Sequence, residues 1–154
     1  VLLRLGYETM RRRSEICSFT FDDVTDTPRR GPAIRLVRSK TDQEGASKLI
    51  PISKDLIDLI LRWQTHAKLE GAILRSVDRH GNVGPQLNSG SVCIILNRLL
   101  AKTSLADHGA RFSGHSFRVG AAMDLLESGA SLETIMLRGG WLSQDNAMNF
   151  LRSW

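Results

Sequence analysis

The stretch GHSFRVGAAMDLLESG, residues 114–129, decides how the chain is read. From Ser116 onward it predicts a helix that Gly129 stops at a C-terminal cap, where glycine adopts a left-handed backbone without a Cβ penalty. His115 and Arg118 are three residues apart and project from the same side of the first turn. A helix N-terminus flanked by an imidazole and a guanidinium is a good place for a phosphate, because its first N–H groups lack helical partners and both side chains add donors. Taken alone the spacing is a weak signal, since a capping histidine beside a surface arginine is common.

Working outward, SLETIMLR (131–138) and SQDNAMNFLRSW (143–154) predict two short helices split by Gly139, Gly140 and Trp141. Trp141 reads first as a core or interface residue, with an indole N–H that becomes a donor if a pocket lies beside it. Upstream of the loop TSLADHGARFSG (103–114), Ser89 begins a helix with Val92, Ile95, Leu96 and Leu99 inward. AILRSVDRHGNVGPQL (72–87) is a hairpin or structured loop, and Ser53 caps a helix with Leu56, Leu59, Ile60, Trp63 and Ala67 on one face. CSFTFDDV (17–24), AIRLVR (33–38) and SKLIPI (47–52) alternate apolar and polar residues and predict a small antiparallel sheet. VLLRLGYETMRRRSEI (1–16) predicts one helix burying Leu2, Leu5, Met10 and Ile16, with Gly6 as its weak point. The expected fold class is α+β, predominantly helical, with a minor three-stranded antiparallel sheet.

A length of 154 residues with 42% hydrophobic content suits one domain with a real core. Lys and Arg number 21 against 16 Asp and Glu, a formal charge of +5, which favours anionic partners. Cys17 and Cys93 stand in apolar stretches without metal-ligand spacing, which argues against a disulfide framework or zinc site and favours a reducing, cytoplasmic setting. No apolar run reaches the roughly 18 residues of a membrane span. The chain opens at Val1, inside a predicted helix, and is expected to be a domain of something longer.

Two further features carry possible chemistry. Arg11, Arg12 and Arg13 cannot share one helix face, because successive residues turn by about 100°. A run of charge is usually a solvated face, but Arg12 lies next to the core side with Glu15 three residues on to brace it. Lys40, in VRSKTD, falls where the second strand runs into a turn. Most such lysines are solvated edge protection, yet a flexible ammonium there also reaches a bound phosphate ester and protonates a leaving oxygen.

Each feature alone is bland, but their order along the chain is not. YETMRRRSEI, VRSKT, GHSFRVGAA and GGWLSQDNAMNFLRSW together resemble the tyrosine recombinase (phage integrase) family, and its Cre-like members most. The resemblance spans nearly the whole chain and implies its integrase-type catalytic core over 1–154, with an N-terminal core-binding domain and a C-terminal tail lying outside it. It implies that Arg12 and Arg118 hold the phosphate, with Glu15 supporting Arg12. His115 would assist at the nucleophile, Lys40 would be the general acid, and Trp141 would pack against the site and donate one N–H. Arg11, Arg13, Arg38, Ser116 and Arg152 are expected to contact DNA.

The nucleophile position is the departure: Phe150 stands where the family has tyrosine. The implied chemistry needs no metal or other cofactor: a tyrosine oxygen attacks a DNA phosphodiester, giving a 3′-phosphotyrosyl link and a free 5′-hydroxyl. With phenylalanine there, the chain is expected to bind DNA without cutting it. The implied partner is a double-stranded recombination site, bound by a homotetramer of the full-length protein. This chain alone is expected to be a monomer with no membrane association. Alternative readings are a type IB topoisomerase-like strand transferase, a DNA-binding regulator with SLETIMLRGGWLSQDNAMNFL as a helix-turn-helix, and a basic module for an acidic partner.

Overall fold

Alternating apolar residues build the sheet that anchors the first half of the chain. The structure, a computed structural model, describes residues 1–37, 47–105 and 111–152, apart from the side chain of Phe150. Strands β1 (Val24–Thr27), β2 (Gly31–Leu36) and β3 (Lys48–Pro51) pair antiparallel in that order. The register sets Ile34 opposite both Val24 and Ile50, so that Ile34 and Ile50 fall on the buried face.

The first strand begins later than its alternation predicts. Residues up to Ser18 belong to a helix, Thr20 makes one isolated bridge to Ala72, and Phe21–Asp23 forms a 3-10 turn. The cause is local: the Asp23 carboxylate accepts from the Thr20 N–H at 2.9 Å and its hydroxyl at 2.8 Å, a cap that competes with strand pairing. Phe19 and Phe21 are buried all the same.

The single helix expected over residues 1–16 is two helices, α1 (Leu2–Thr9) and α2 (Arg13–Ser18). Met10 ends α1 in the left-handed conformation, with φ of 52°. For a non-glycine residue this costs roughly 1–2 kcal/mol. Burial of the Met10 side chain among Ala121, Ala122, Ile135, Trp141 and Ala147 offsets that cost. The break frees Arg11 and Arg12 from helical spacing, and they point to different places.

The helix α3 (Lys54–Ala67), the hairpin β4 (Arg75–Val77) and β5 (Val83–Gln86), and α4 (Ser89–Leu100) follow the expected order. Ser53 caps α3 by accepting from the Leu56 N–H at 3.1 Å. The Trp63 indole donates to the Ile73 carbonyl at 2.9 Å, tying α3 to the residues before β4. In α4 the buried stripe is Val92, Leu96 and Leu100, while Leu99 is 43% exposed. Steps of four keep a stripe on one side over three turns, and Leu99 falls off it.

The last three helices are α5 (Ser116–Glu127), α6 (Leu132–Gly139) and α7 (Gln144–Arg152). Gly129, with φ of 82°, follows the end of α5 as predicted. Among the described residues most of the buried hydrophobics fall into two clusters. One gathers the sheet with α1 to α4 around Leu5, Ile34, Ile60 and Leu96, and the other lies among α5, α6 and α7. Among the described residues no helix is long and apolar enough to cross a membrane.

The seam between the clusters is the contact of α1 with α5. Gly6 meets the ring of Phe117, and a Cβ there would stand 2.6 Å from its Cδ2. The glycine that looked like a weak point for α1 is what lets α5 approach. Gly6→Val should lower stability by about 1–3 kcal/mol through overpacking. In urea denaturation the double variant with Phe117→Ala should lose less than the sum of the two single losses, and strict additivity would contradict this seam.

Candidate active site

Arg12 stands in the break between α1 and α2, and Glu15 fixes it there. The Glu15 carboxylate, 5% exposed, accepts from the Arg12 backbone N–H at 3.1 Å and from its guanidinium at 3.2 Å. The bracing expected from their spacing is present. A charge-assisted pair with one buried member orders the long arginine side chain before any ligand arrives.

The first turn of α5 supplies His115 and Arg118. The turn is held by Ser113 and Ser116: the Ser113 N–H donates to the Ser116 hydroxyl at 2.8 Å, and the His115 N–H to the Ser113 hydroxyl at 3.2 Å. His115 occupies the N-cap position, yet its imidazole does not cap the helix. Arg118 is buried, donates to the Gly139 carbonyl at 2.7 Å, and lies with its guanidinium carbon 4.3 Å from the centroid of the Trp141 ring. The ring face and the carbonyl hold the guanidinium plane on two sides.

The turn between α6 and α7 places Trp141. Gly140 closes α6 with φ of 70°, and the N–H groups of Gly140 and Trp141 both donate to the Met136 carbonyl, at 2.7 and 3.0 Å. Gly139 has no room for a Cβ, because the Trp141 ring occupies that space. The two glycines therefore fold the tryptophan back under Arg118.

Arg12, His115, Arg118, Gly140, Trp141, Leu142 and Asn146 line one cleft of about 310 Å³. Its side chains come from the α1–α2 break, the start of α5, the α6–α7 turn and the start of α7. Burial lowers the Arg118 pKa to about 10, with Arg12 and Arg11 adding to the depression and Glu15 opposing it. His115 is held below its ordinary value, first by burial and then by Arg118, Arg12 and Arg13. Both effects favour the neutral imidazole. The charges surrounding it are mainly positive, which is the electrostatic requirement of an anion site.

Arg11, Arg13, Ser116 and Arg152 do not line this cleft. Arg11 and Ser116, expected at a DNA surface, are buried. Arg11 donates from Nε to the Thr9 carbonyl at 2.9 Å and from Nη2 to the Arg138 carbonyl, while the Ser116 hydroxyl is used in its own turn. Arg13 and Arg152 are exposed. Lys40 and Arg38 lie outside the described residues, and Phe150 belongs to α7. Asn146 was not anticipated. Its sequence signal was its position four residues before Phe150.

Tyr7, the sole tyrosine of the sequence, does not line the cleft. Its hydroxyl donates to the Asp124 carboxylate, and that bond, with burial and the Asp124 charge, raises its pKa. A second hollow of about 510 Å³ runs along the sheet past Asp22, Asp23, Arg29, Arg30 and Arg35. There Arg35 is paired with Asp23 at 3.4 Å, so the charge is mixed, unlike that of the cleft. Among the described residues no group of three or more His, Cys, Asp or Glu is arranged to hold a metal ion.

Comparison with known proteins bears on the family and the fold. The recombinase Cre of Escherichia phage P1 is 27% identical over 98% of this chain and 48% of its own length. The tyrosine recombinase XerC of Corynebacterium efficiens is 33% identical over 87% of the chain and 39% of its own length. The fold matches that of the XerH site-specific recombinase, in a structure with its difH substrate, with a TM-score of 0.71, 14% identity, and coverage of 97% of this chain and 41% of that one. The chain thus spans about half the length of the relatives it matches, or less. The family model described as "Phage integrase family" matches residues 1–153, and the chain belongs to that family.

Proposed function

We propose that this chain is the catalytic domain of a site-specific tyrosine recombinase, which binds duplex DNA and presents one phosphodiester to a nucleophile position emptied at Phe150. The observation that supports it is the single cleft in which Arg12, His115, Arg118 and Trp141 meet the start of the helix carrying Phe150. Arg12 and Arg118 donate to the two non-bridging oxygens of the phosphate as negative charge grows in the pentavalent transition state. Loss of one such donor typically raises the barrier by about 3 kcal/mol.

His115, kept neutral by burial and by the neighbouring guanidiniums, is in the right state to accept a proton from a nucleophile. Lys40 supplies the proton to the departing 5′-oxygen, a role that rests on the family pattern. Trp141 excludes water from one side of the phosphate and orients Arg118. Phenylalanine keeps the ring of the nucleophile but has no oxygen to attack with, so the phosphodiester stays intact. Tyr7 is a poor substitute, since its proton is engaged with Asp124 and its pKa is raised. Full-length protein would act as a homotetramer on two duplexes, and this chain alone would be a monomer.

The chain and its Phe150→Tyr variant should differ on nicked duplexes resolved by denaturing gel. Only the tyrosine variant should form a protein–DNA adduct, and adding Arg118→Met to it should slow adduct formation by about 100-fold. An adduct from the unaltered chain would contradict the assignment of Phe150.

A second expectation concerns protonation. In NMR titration, His115 of the free chain should have its midpoint below the ordinary value of 6.5. Duplex DNA brings negative charge that favours the imidazolium, so the midpoint should rise on binding and affinity should increase as pH falls through that range. A midpoint that DNA leaves unchanged would show that the phosphate binds elsewhere.

A further inference from the structure

Three consecutive carbonyls at the end of α6 accept from cations of three different segments. Lys48 of β3 donates to the Leu137 carbonyl at 3.1 Å, Arg11 to that of Arg138, and Arg118 to that of Gly139 at 2.7 Å. The last carbonyls of a helix have no helical N–H partner and carry the negative end of its dipole, so cations stabilise them. These three bonds fix the helix end from which Trp141 departs.

Arg11 differs from the other two. It is 5% exposed and does not line the cleft, and its guanidinium bridges two backbone segments: Nε reaches the Thr9 carbonyl at 2.9 Å and Nη2 the Arg138 carbonyl. Thr9 is the last residue of α1 and Arg138 lies in the last turn of α6. A Cβ on Gly140 would strike the guanidinium, so the glycine is required there by contact as well as by its φ of 70°. Each end of the bridge lies three residues before a cleft residue: Thr9 before Arg12, and Arg138 before Trp141.

An apolar side chain would fill this space without the desolvation cost of a guanidinium. What the arginine adds is a planar fork that sets the distance and angle between two carbonyls, which an aliphatic residue cannot do. We infer that Arg11 is a positioning residue that locks the Arg12 segment to the Gly140–Trp141 turn and so sets the width of the phosphate cleft. The inference rests on the reading of that cleft as a phosphodiester site.

Hydrogen exchange and adduct formation together test it. In Arg11→Met the amides of Gly140 and Trp141, both bonded to the Met136 carbonyl, should exchange about 10-fold faster while those of α3 keep their protection. With Phe150→Tyr as background, Arg11→Met should slow adduct formation by about 10- to 100-fold, as a misplaced phosphate site does, with DNA affinity within about threefold. Arg11→Lys should rescue neither, because one ammonium does not reproduce the fork. If Arg11→Met does not fold, the same two amides in Arg11→Lys decide the matter. Exchange within about twofold of the parent, or rescue by lysine, would overturn the inference. If the Phe150→Tyr parent forms no adduct, the recombinase reading fails, and the exchange of the two amides still judges the lock.

Discussion

One carboxylate, that of Glu15, holds together a group of arginines that would otherwise repel. It is 5% exposed and bonded to the Arg12 backbone and guanidinium, and its charge opposes the depression of the Arg11 and Arg118 pKa values. A single negative charge cannot balance three guanidiniums. The α6 carbonyls supply part of the remainder, through Arg11 to Arg138 and Arg118 to Gly139. What is left over is positive potential directed into the cleft, which an anion neutralises. Burial first, and the neighbouring guanidiniums second, hold Arg118 and His115 below their ordinary pKa values.

The fold serves this electrostatic arrangement through three backbone adjustments. The left-handed Met10 ends α1 so that Arg11 turns inward while Arg12 turns to the cleft. Gly6 lets Phe117, and with it the first turn of α5, come close to α1. Gly139 and Gly140 fold Trp141 back against Arg118. Each of these backbone features sets where a cleft side chain stands.

Much of this was legible in the sequence, and the misses have physical causes. Helices with a strong apolar stripe and a cap, such as α3 behind Ser53, were read from spacing alone. The bracing of Arg12 by Glu15 and the shared turn of His115 and Arg118 followed from helical geometry. The break at Met10 was not legible, because nothing local marks it: tertiary burial of the methionine overrides its backbone preference. Arg11 was read as a surface charge because charge runs are usually solvated, and only packing reveals the two carbonyls that receive it. The late start of β1 came from the Asp23 cap, a side-chain competitor that alternation does not register. Asn146 was missed because the cleft it lines is assembled from distant segments.

The central claim is that this cleft receives a phosphodiester of duplex DNA. A crystal structure of the chain with a short nicked duplex tests it most directly, because on the proposed reading Phe150 would leave the DNA uncut. The account predicts one backbone phosphate within hydrogen-bond reach of both Arg12 and Arg118, with His115 beside it and Trp141 under Arg118. A duplex that instead tracks along Arg29, Arg30 and Arg35 on the sheet, leaving the cleft without a phosphate, would contradict it.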